Sequence, residues 1–333
     1  MKRVLADITN ELKSSPLRKV PIRDWHVEVS EFSDTSPEGL LPAMRRSCED
    51  QELLHQRLAR LQLSPEPVED DGDDPQCVAE YVTDIFNKLE DDEIYHLKAP
   101  EGLKATGGRE ERASAVDWMV EVQVAYKLRT ETLFLAVSLL DSFLRLNEVS
   151  QRELKLAVVC SLFVAGKFEE IDPPNVKDFV QLTYEVCSKQ DILTMEATLL
   201  TSLEFSLCRP TAAHFLDRYQ QKTVTCRKMM QKHGFLMQYL LELALVDSQM
   251  WRFPPSLQVA AAAVVSSRLL GPKSISRPFR DDDASAERSA MLTSCALELC
   301  RLLEEIEWRC HQAVRKKFLR PEYLSIAAMV SCT

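Results

Sequence analysis

The stretch ELKLAVVCSLFVAGKFEE, residues 153–170, is apolar on nearly every side when wound as a helix. A helix with no polar face has to be enclosed by other helices. The neighbouring sequence supplies them. Helical periodicity over 110–127, 131–146, 175–184 and 189–204 surrounds the central pattern at 150–169, with short breaks between. Thr130 and Ser188 stand where N-caps are expected. After Pro210 the arrangement starts again, at 211–222, 226–247, 256–270, 291–308 and 310–318. Its third segment, PSLQVAAAAVVSSRLL, is again the most uniformly apolar, and Ala260–Ala263 lets neighbouring helices approach closely. The expected fold class is all-α, with two tandem five-helix units each built around an apolar third helix.

Residues 1–73 read differently. Ser15-Pro16, Ser36-Pro37 and Ser64-Pro65 break them, and an acidic run at 69–74 closes them. They are expected to form a disordered N-terminal region, with a short helix over 49–63. The acidic run lacks the spaced ligands and terminal glutamate of a calcium loop. Residues 74–108 carry an N-terminal helix and a linker. In that helix, over 77–93, Val78, Tyr81, Val82, Ile85, Phe86 and Leu89 share one face. The first unit then spans 109–207, the second 208–322, and a C-terminal tail 323–333. The segment at 274–289 reads as a loop.

Only 8 glycines occur in 333 residues, which favours helix over strand. The formal net charge of -10 argues against nucleic acid or an anionic membrane as a partner of the whole chain. The 10 cysteines contain no C-x-x-C pair and the 6 histidines do not cluster, so neither a metal site nor a cofactor is expected. No apolar run approaches the roughly 20 residues that span a bilayer, and no signal peptide is read at the start. The expected location is nucleus and cytoplasm. Asp281, Asp282 and Asp283 imitate one half of a metal-dependent synthase motif, but no second acidic motif matches them.

Several charges sit where packing alone does not require them. Lys167 ends the central helix of the first unit, followed by Glu169 and Glu170, which oppose the helix dipole there. Pro173-Pro174 then stops the helix. Glu196 lies at the edge of the apolar face formed by Ile192, Met195, Leu199 and Leu203. Asp141 borders the stripe of the second helix, and Arg112 opens the first. A buried Arg112–Asp141 pair would fix the placement of those two helices.

RASAVDWMVEV (112–122), TETLFLAVSLLDSFL (130–144), VAGKFEEIDPPNV (164–176) and TMEATLLTSLEF (194–205) resemble the cyclin box of A/B-type, mitotic cyclins. The similarity covers roughly 77–325 and includes RPTAAHFLDRY (209–219) and LELALVDSQMWRFPPSLQVAAAA (241–263) in a second box. It implies two cyclin folds, the first docking a cyclin-dependent kinase, and no catalysis by the chain itself. Arg112, Asp141, Leu156, Lys167 and Glu196 match family positions. The resemblance implies that Arg112 and Asp141 bridge two helices. It implies that Lys167 and Glu196 hydrogen-bond the kinase segment leading into its αC helix, with Phe168, Glu169 and Leu156 in the same interface. The alternative is a transcriptional or divergent cyclin-box protein that binds a kinase without mitotic activation.

The substrate-docking patch of the family departs from its usual form. Trp118, Glu121 and Leu154 are retained, but Glu111 stands at a methionine position, Ser114 at an isoleucine position and Lys155 at a position commonly glutamine. These changes are expected to weaken docking of R-x-L protein substrates. KRVLADITN, residues 2–10, is similar to a destruction box through Leu5, Asp7, Ile8 and Asn10, with Lys2 in place of arginine. It implies a ubiquitin ligase as a further partner. Ser15, in Ser15-Pro16-Leu17-Arg18, fits the pattern of a proline-directed phosphosite.

Overall fold

The computed structural model describes residues 81–97, 108–183, 187–216, 227–270 and 286–330. Among them there is no strand. The destruction-box-like residues, Ser15, the acidic run and Asp281–Asp283 lie outside the described residues.

Helix α1 spans Val82–Leu97. The first unit follows as α2 (Gly108–Tyr126), α3 (Thr130–Leu146), α4 (Gln151–Glu169), α5 (Val176–Leu182) and α6 (Lys189–Ser202). Residues 212–216 are helical and open the second unit. It continues as α7 (Arg227–Val246), α8 (Pro255–Leu270), α9 (Ala286–Glu305) and α10 (Ala313–Phe318), and α11 (Ile326–Val330) closes the described chain. The tandem five-helix architecture is thus the one the two apolar segments require.

Capping chemistry sets several boundaries. Ser150 with Glu153, Asn175 with Asp178 and Ser188 with Asp191 each form a reciprocal capping box at the starts of α4, α5 and α6. Thr130 is not a cap. It is the first residue of α3, whose N-cap position is Arg129 and carries no side-chain cap. A carboxylate from elsewhere does that work, as described below.

Every residue from Leu156 to Gly166 of α4 is buried, and α4 packs on α2, α3, α5 and α6. In the second unit α8 buries Leu257, Val259, Ala260, Ala261, Ala262, Ala263 and Val265 between α7 and α9. The small alanines let three helices pack at close range. His233 of α7 is buried and shares a 2.8 Å hydrogen bond with Ser266 of α8. Burial lowers its pKa from the ordinary histidine value. The folded chain therefore keeps this imidazole neutral while the unfolded chain takes up the proton first. Stability from this group is present above about pH 6.5 and is lost as the pH falls. Thermal unfolding from neutral to mildly acidic pH should show a fall that His233→Asn flattens. Parallel slopes in the two proteins would contradict it.

The units are joined through α2, which packs against α7 and α10. Asp117 of α2 accepts a hydrogen bond from the Ala313 backbone N–H at 2.8 Å, and so caps α10. Gln238 of α7 donates to Thr130 of α3 at 2.9 Å. Arg209, between the units, donates to the Ser142 hydroxyl, and burial lowers its pKa to about 10. Helix α1 packs against the second unit. Its Glu93 accepts from the Ser256 backbone N–H at 2.9 Å and from the Ser256 hydroxyl at 2.5 Å, at the N-terminus of α8. Phe86 packs on Phe215 with ring centroids 6.1 Å apart.

The structure redraws three boundaries. Helix α1 continues past the expected end at 93, because Glu93 is a docking residue and not a terminus. Helix α9 begins at Ala286, inside the segment read as a loop, where Ala286, Glu287 and Arg288 are strong helix formers. The expected tail contains α11. Its Ile326 and Ala327 are buried, and α11 packs against α7 after a left-handed turn at Leu324 and Ser325.

Candidate partner-binding surface

The last turn of α4 and the loop beyond it carry exposed apolar side chains beside a charge pair. Ile192, Met195 and Leu199 of α6 turn inward against the core. That register places Glu196, next to Met195, at the seam with α4, facing the end of that helix. Lys167 reaches across and pairs with Glu196. The lysine side chain remains 42% exposed and the glutamate 14% exposed. The ammonium also lies 4.3 Å from the Phe163 ring centroid. Beside the pair, Phe168 is half exposed and Ile171 is wholly exposed.

Glu169 and Glu170, which looked unfavourable at a helix C-terminus, have separate explanations. Glu170 turns away from α4 to the start of α3. Its Oε1 accepts from the Arg129 backbone N–H at 2.8 Å and from the Thr132 hydroxyl at 2.6 Å. A carboxylate at a helix N-terminus is favourable, so the charge that costs α4 a little stabilises α3. Glu170→Ala should cost about 1 kcal/mol, the usual worth of a lost cap. Chemical denaturation would measure it, and an unchanged midpoint would contradict the capping role. Glu169 is partly buried, and that burial pushes its carboxyl pKa up.

Leu156 is 9% exposed and belongs to the hydrophobic core. Its side chain falls on the inward side of α4, among residues that all face neighbouring helices.

Arg112 and Asp141 meet as expected, in a bidentate pair with bonds of 2.6 and 2.7 Å. The pair reaches further than two helices. Arg112 also donates to the Val246 carbonyl at 3.1 Å, and its guanidinium stacks 4.6 Å from the Trp251 ring centroid. Val246 and Trp251 belong to the second unit, so this arginine ties the two units together.

The residues expected to form a docking patch are split between core and surface. Trp118 and Leu154 are buried, since both pack into the first unit's core. Ser114 shares a 2.9 Å hydrogen bond with His311, which the second unit brings against α2. Glu111, Glu121 and Lys155 are partly exposed at the rim.

Sequence reasoning missed the most buried charges. Glu242 of α7 and Lys317 of α10 form an ion pair with no solvent exposure on either side chain. Gln238 donates to the same Glu242 carboxylate at 3.0 Å. A signal existed for Glu242 alone, which interrupts the apolar run LLELALV.

Comparison with known proteins agrees with this architecture. The profile of the cyclin N-terminal domain matches residues 84–208, and that of the cyclin C-terminal domain matches residues 210–332. A putative cyclin-A3-1 of Arabidopsis thaliana is 34% identical over 262 residues, covering 78% of this chain and 74% of that protein. The G2/mitotic-specific cyclin C13-1 of Daucus carota is 33% identical over 264 residues, 77% of each chain. The G2/mitotic-specific cyclin-B2 of Oryzias luzonensis is 37% identical over 246 residues, 73% of this chain but only 62% of that relative's length. With both halves of the fold matched and a third of the residues shared with A-type and mitotic relatives, the chain belongs to the cyclin family.

Proposed function

We propose that the chain is a regulatory subunit that binds and activates a cyclin-dependent Ser/Thr protein kinase in cell-cycle progression, in the G2/M manner of its mitotic relatives. The observation that carries the reading is the Lys167–Glu196 pair beside exposed Phe168 and Ile171. A partly exposed ion pair contributes about 0–1 kcal/mol to folding, and an exposed phenylalanine and isoleucine contribute little more. An aromatic anchor flanked by a charge pair is the composition of a binding hot spot.

The chain acts by selection of state. A kinase is active when its β3 lysine pairs with its αC glutamate. Lys167 and Glu196 hold the backbone leading into αC, while Phe168 and Ile171 fill the apolar contact. Moving a kinase from about 1% to about 99% active needs a differential affinity of ~5.5 kcal/mol. The proposal extends to protein substrates that dock weakly through the altered patch at Glu111, Ser114 and Lys155. It extends to a ubiquitin ligase that reads Lys2, Leu5, Asp7, Ile8 and Asn10, and to action in nucleus and cytoplasm.

The test is a titration of the purified chain into a monomeric cyclin-dependent kinase, read as phosphorylation of a generic Ser/Thr-Pro-x-Lys/Arg peptide. Saturable activation supports the proposal. Binding without activation would leave a divergent, non-activating cyclin. Absence of binding to any cell-cycle kinase would favour the transcriptional class.

A further inference from the structure

Cys310 and His311 are adjacent in the link between α9 and α10, and Glu110 lies in the first turn of α2, 200 residues earlier. The fold brings all three together where the two units meet. Cys310 Sγ lies 3.9 Å from Glu110 Oε1, and His311 Nε2 lies 3.7 Å from the same oxygen. One ligating atom from each residue falls within 4.8 Å of the others. The sequence reading expected no metal site, because the spacing of 200 residues hides this cluster from any local motif.

We propose that Glu110, Cys310 and His311 bind a zinc-type divalent cation that clamps the first unit to the second. The donor set selects the metal. A thiolate, an imidazole and a carboxylate suit zinc, whereas magnesium and calcium want oxygen ligands. Tetrahedral zinc with bonds of about 2.0–2.3 Å sets its ligand atoms roughly 3.3–3.8 Å apart. The observed separations approach this, and the half-exposed Glu110 side chain has freedom to close the remainder. The charges balance as well. Binding releases the Cys310 thiol proton to solvent, and thiolate plus carboxylate then neutralise the dication. Three protein ligands leave a fourth position for water, and the Ser114 hydroxyl, 2.9 Å from His311 Nε2 in the metal-free chain, must yield that nitrogen to the cation. Arg309, which precedes Cys310, is engaged by Asp247 and Glu305.

Ser114 thus holds the His311 ring in place until the cation takes its nitrogen. It stands on the same helix as Arg112, which already binds the second unit through Val246. The cation adds a second tie to the same joint.

The test uses the full chain, reduced and freed of metal by chelation, then titrated with zinc against a chromophoric chelator. Cobalt serves as a spectroscopic probe, since a thiolate ligand gives a charge-transfer band. Wild type should take up zinc, show that band and unfold at higher temperature with metal than without. Cys310→Ser and His311→Ala should each lose the site, the band and the thermal gain. Cys208→Ser, which removes another exposed cysteine, should lose none of these. Failure of wild type to bind zinc would overturn the proposal. So would binding that survives both Cys310→Ser and His311→Ala, or that falls equally with Cys208→Ser.

Discussion

Lys317→Met should destabilise the protein by about 3–5 kcal/mol, although it exchanges one buried side chain for another of similar length and greater apolarity. The reason is what remains. Glu242 would be left as a charge with no solvent access, holding only its bond from Gln238. Its Oε2 already has no hydrogen-bond partner among the described residues. The lysine also rests against two rings, 5.2 Å from Phe318 and 5.4 Å from Tyr323, whose own centroids are 4.8 Å apart. For a chain of this size each kcal/mol moves the melting temperature by about 2–4 °C, so thermal unfolding will show the loss clearly. Pairing Lys317→Met with Glu242→Leu removes both charges and should restore most of it, because a buried ion pair is worth little more than the apolar side chains that replace it. A single variant costing less than about 1 kcal/mol would mean that the two charges are not paired in the dry core.

Arg112→Met should cost a similar amount, about 3–5 kcal/mol, for a different reason. Asp141 would be stranded with 5% exposure, the Val246 carbonyl would lose its donor, and Trp251 would keep only Arg145, 5.4 Å from its ring centroid. Those partners belong to both units, so the change should loosen the joint before it unfolds either unit. Amide exchange at the C-terminal end of α7 should accelerate more than exchange within α4, whose burial does not depend on the arginine. Arg112→Lys should recover only part of the stability, since an ammonium keeps the charge but cannot bridge Asp141 bidentately and reach Val246 at once. Equal acceleration throughout, or full rescue by lysine, would contradict the role assigned to Arg112.

What the sequence discloses depends on how far apart the interacting residues lie. The architecture was legible because it rests on local periodicity. A segment apolar all round demands enclosure, and Ala157–Ala165 and Ala260–Ala263 announce their central places directly. The N-cap at Ser188 was legible for the same reason, lying directly before its own helix. Lys167 and Glu196 were legible as anomalies, each a charge at the wrong end or edge of an apolar helix. Glu170 was misread because its partners, Arg129 and Thr132, lie about 40 residues upstream and only the folded chain shows which helix it serves. Asp117, Glu93 and Lys317 were missed for the same cause. Each looks like an ordinary surface charge on its own helix and acquires a role only across the joint between units or against another helix. Trp118 and Leu154 show the converse. Motif matching marks them, but only the packing shows that they lie beneath the surface.

The central claim is that Lys167 and Glu196 face a kinase and do little for the fold. The most direct test is a charge swap, Lys167→Glu with Glu196→Lys in one chain. The swapped residues still pair with each other, so the melting temperature should stay within the shift expected of about 1 kcal/mol. The charges offered to the kinase are reversed, which should weaken binding by about 2–5 kcal/mol, at least ~30-fold, with loss of activation at concentrations that saturate wild type. Activation of the kinase by the swapped chain at wild-type concentrations would contradict the account, and would move the binding surface away from the end of α4.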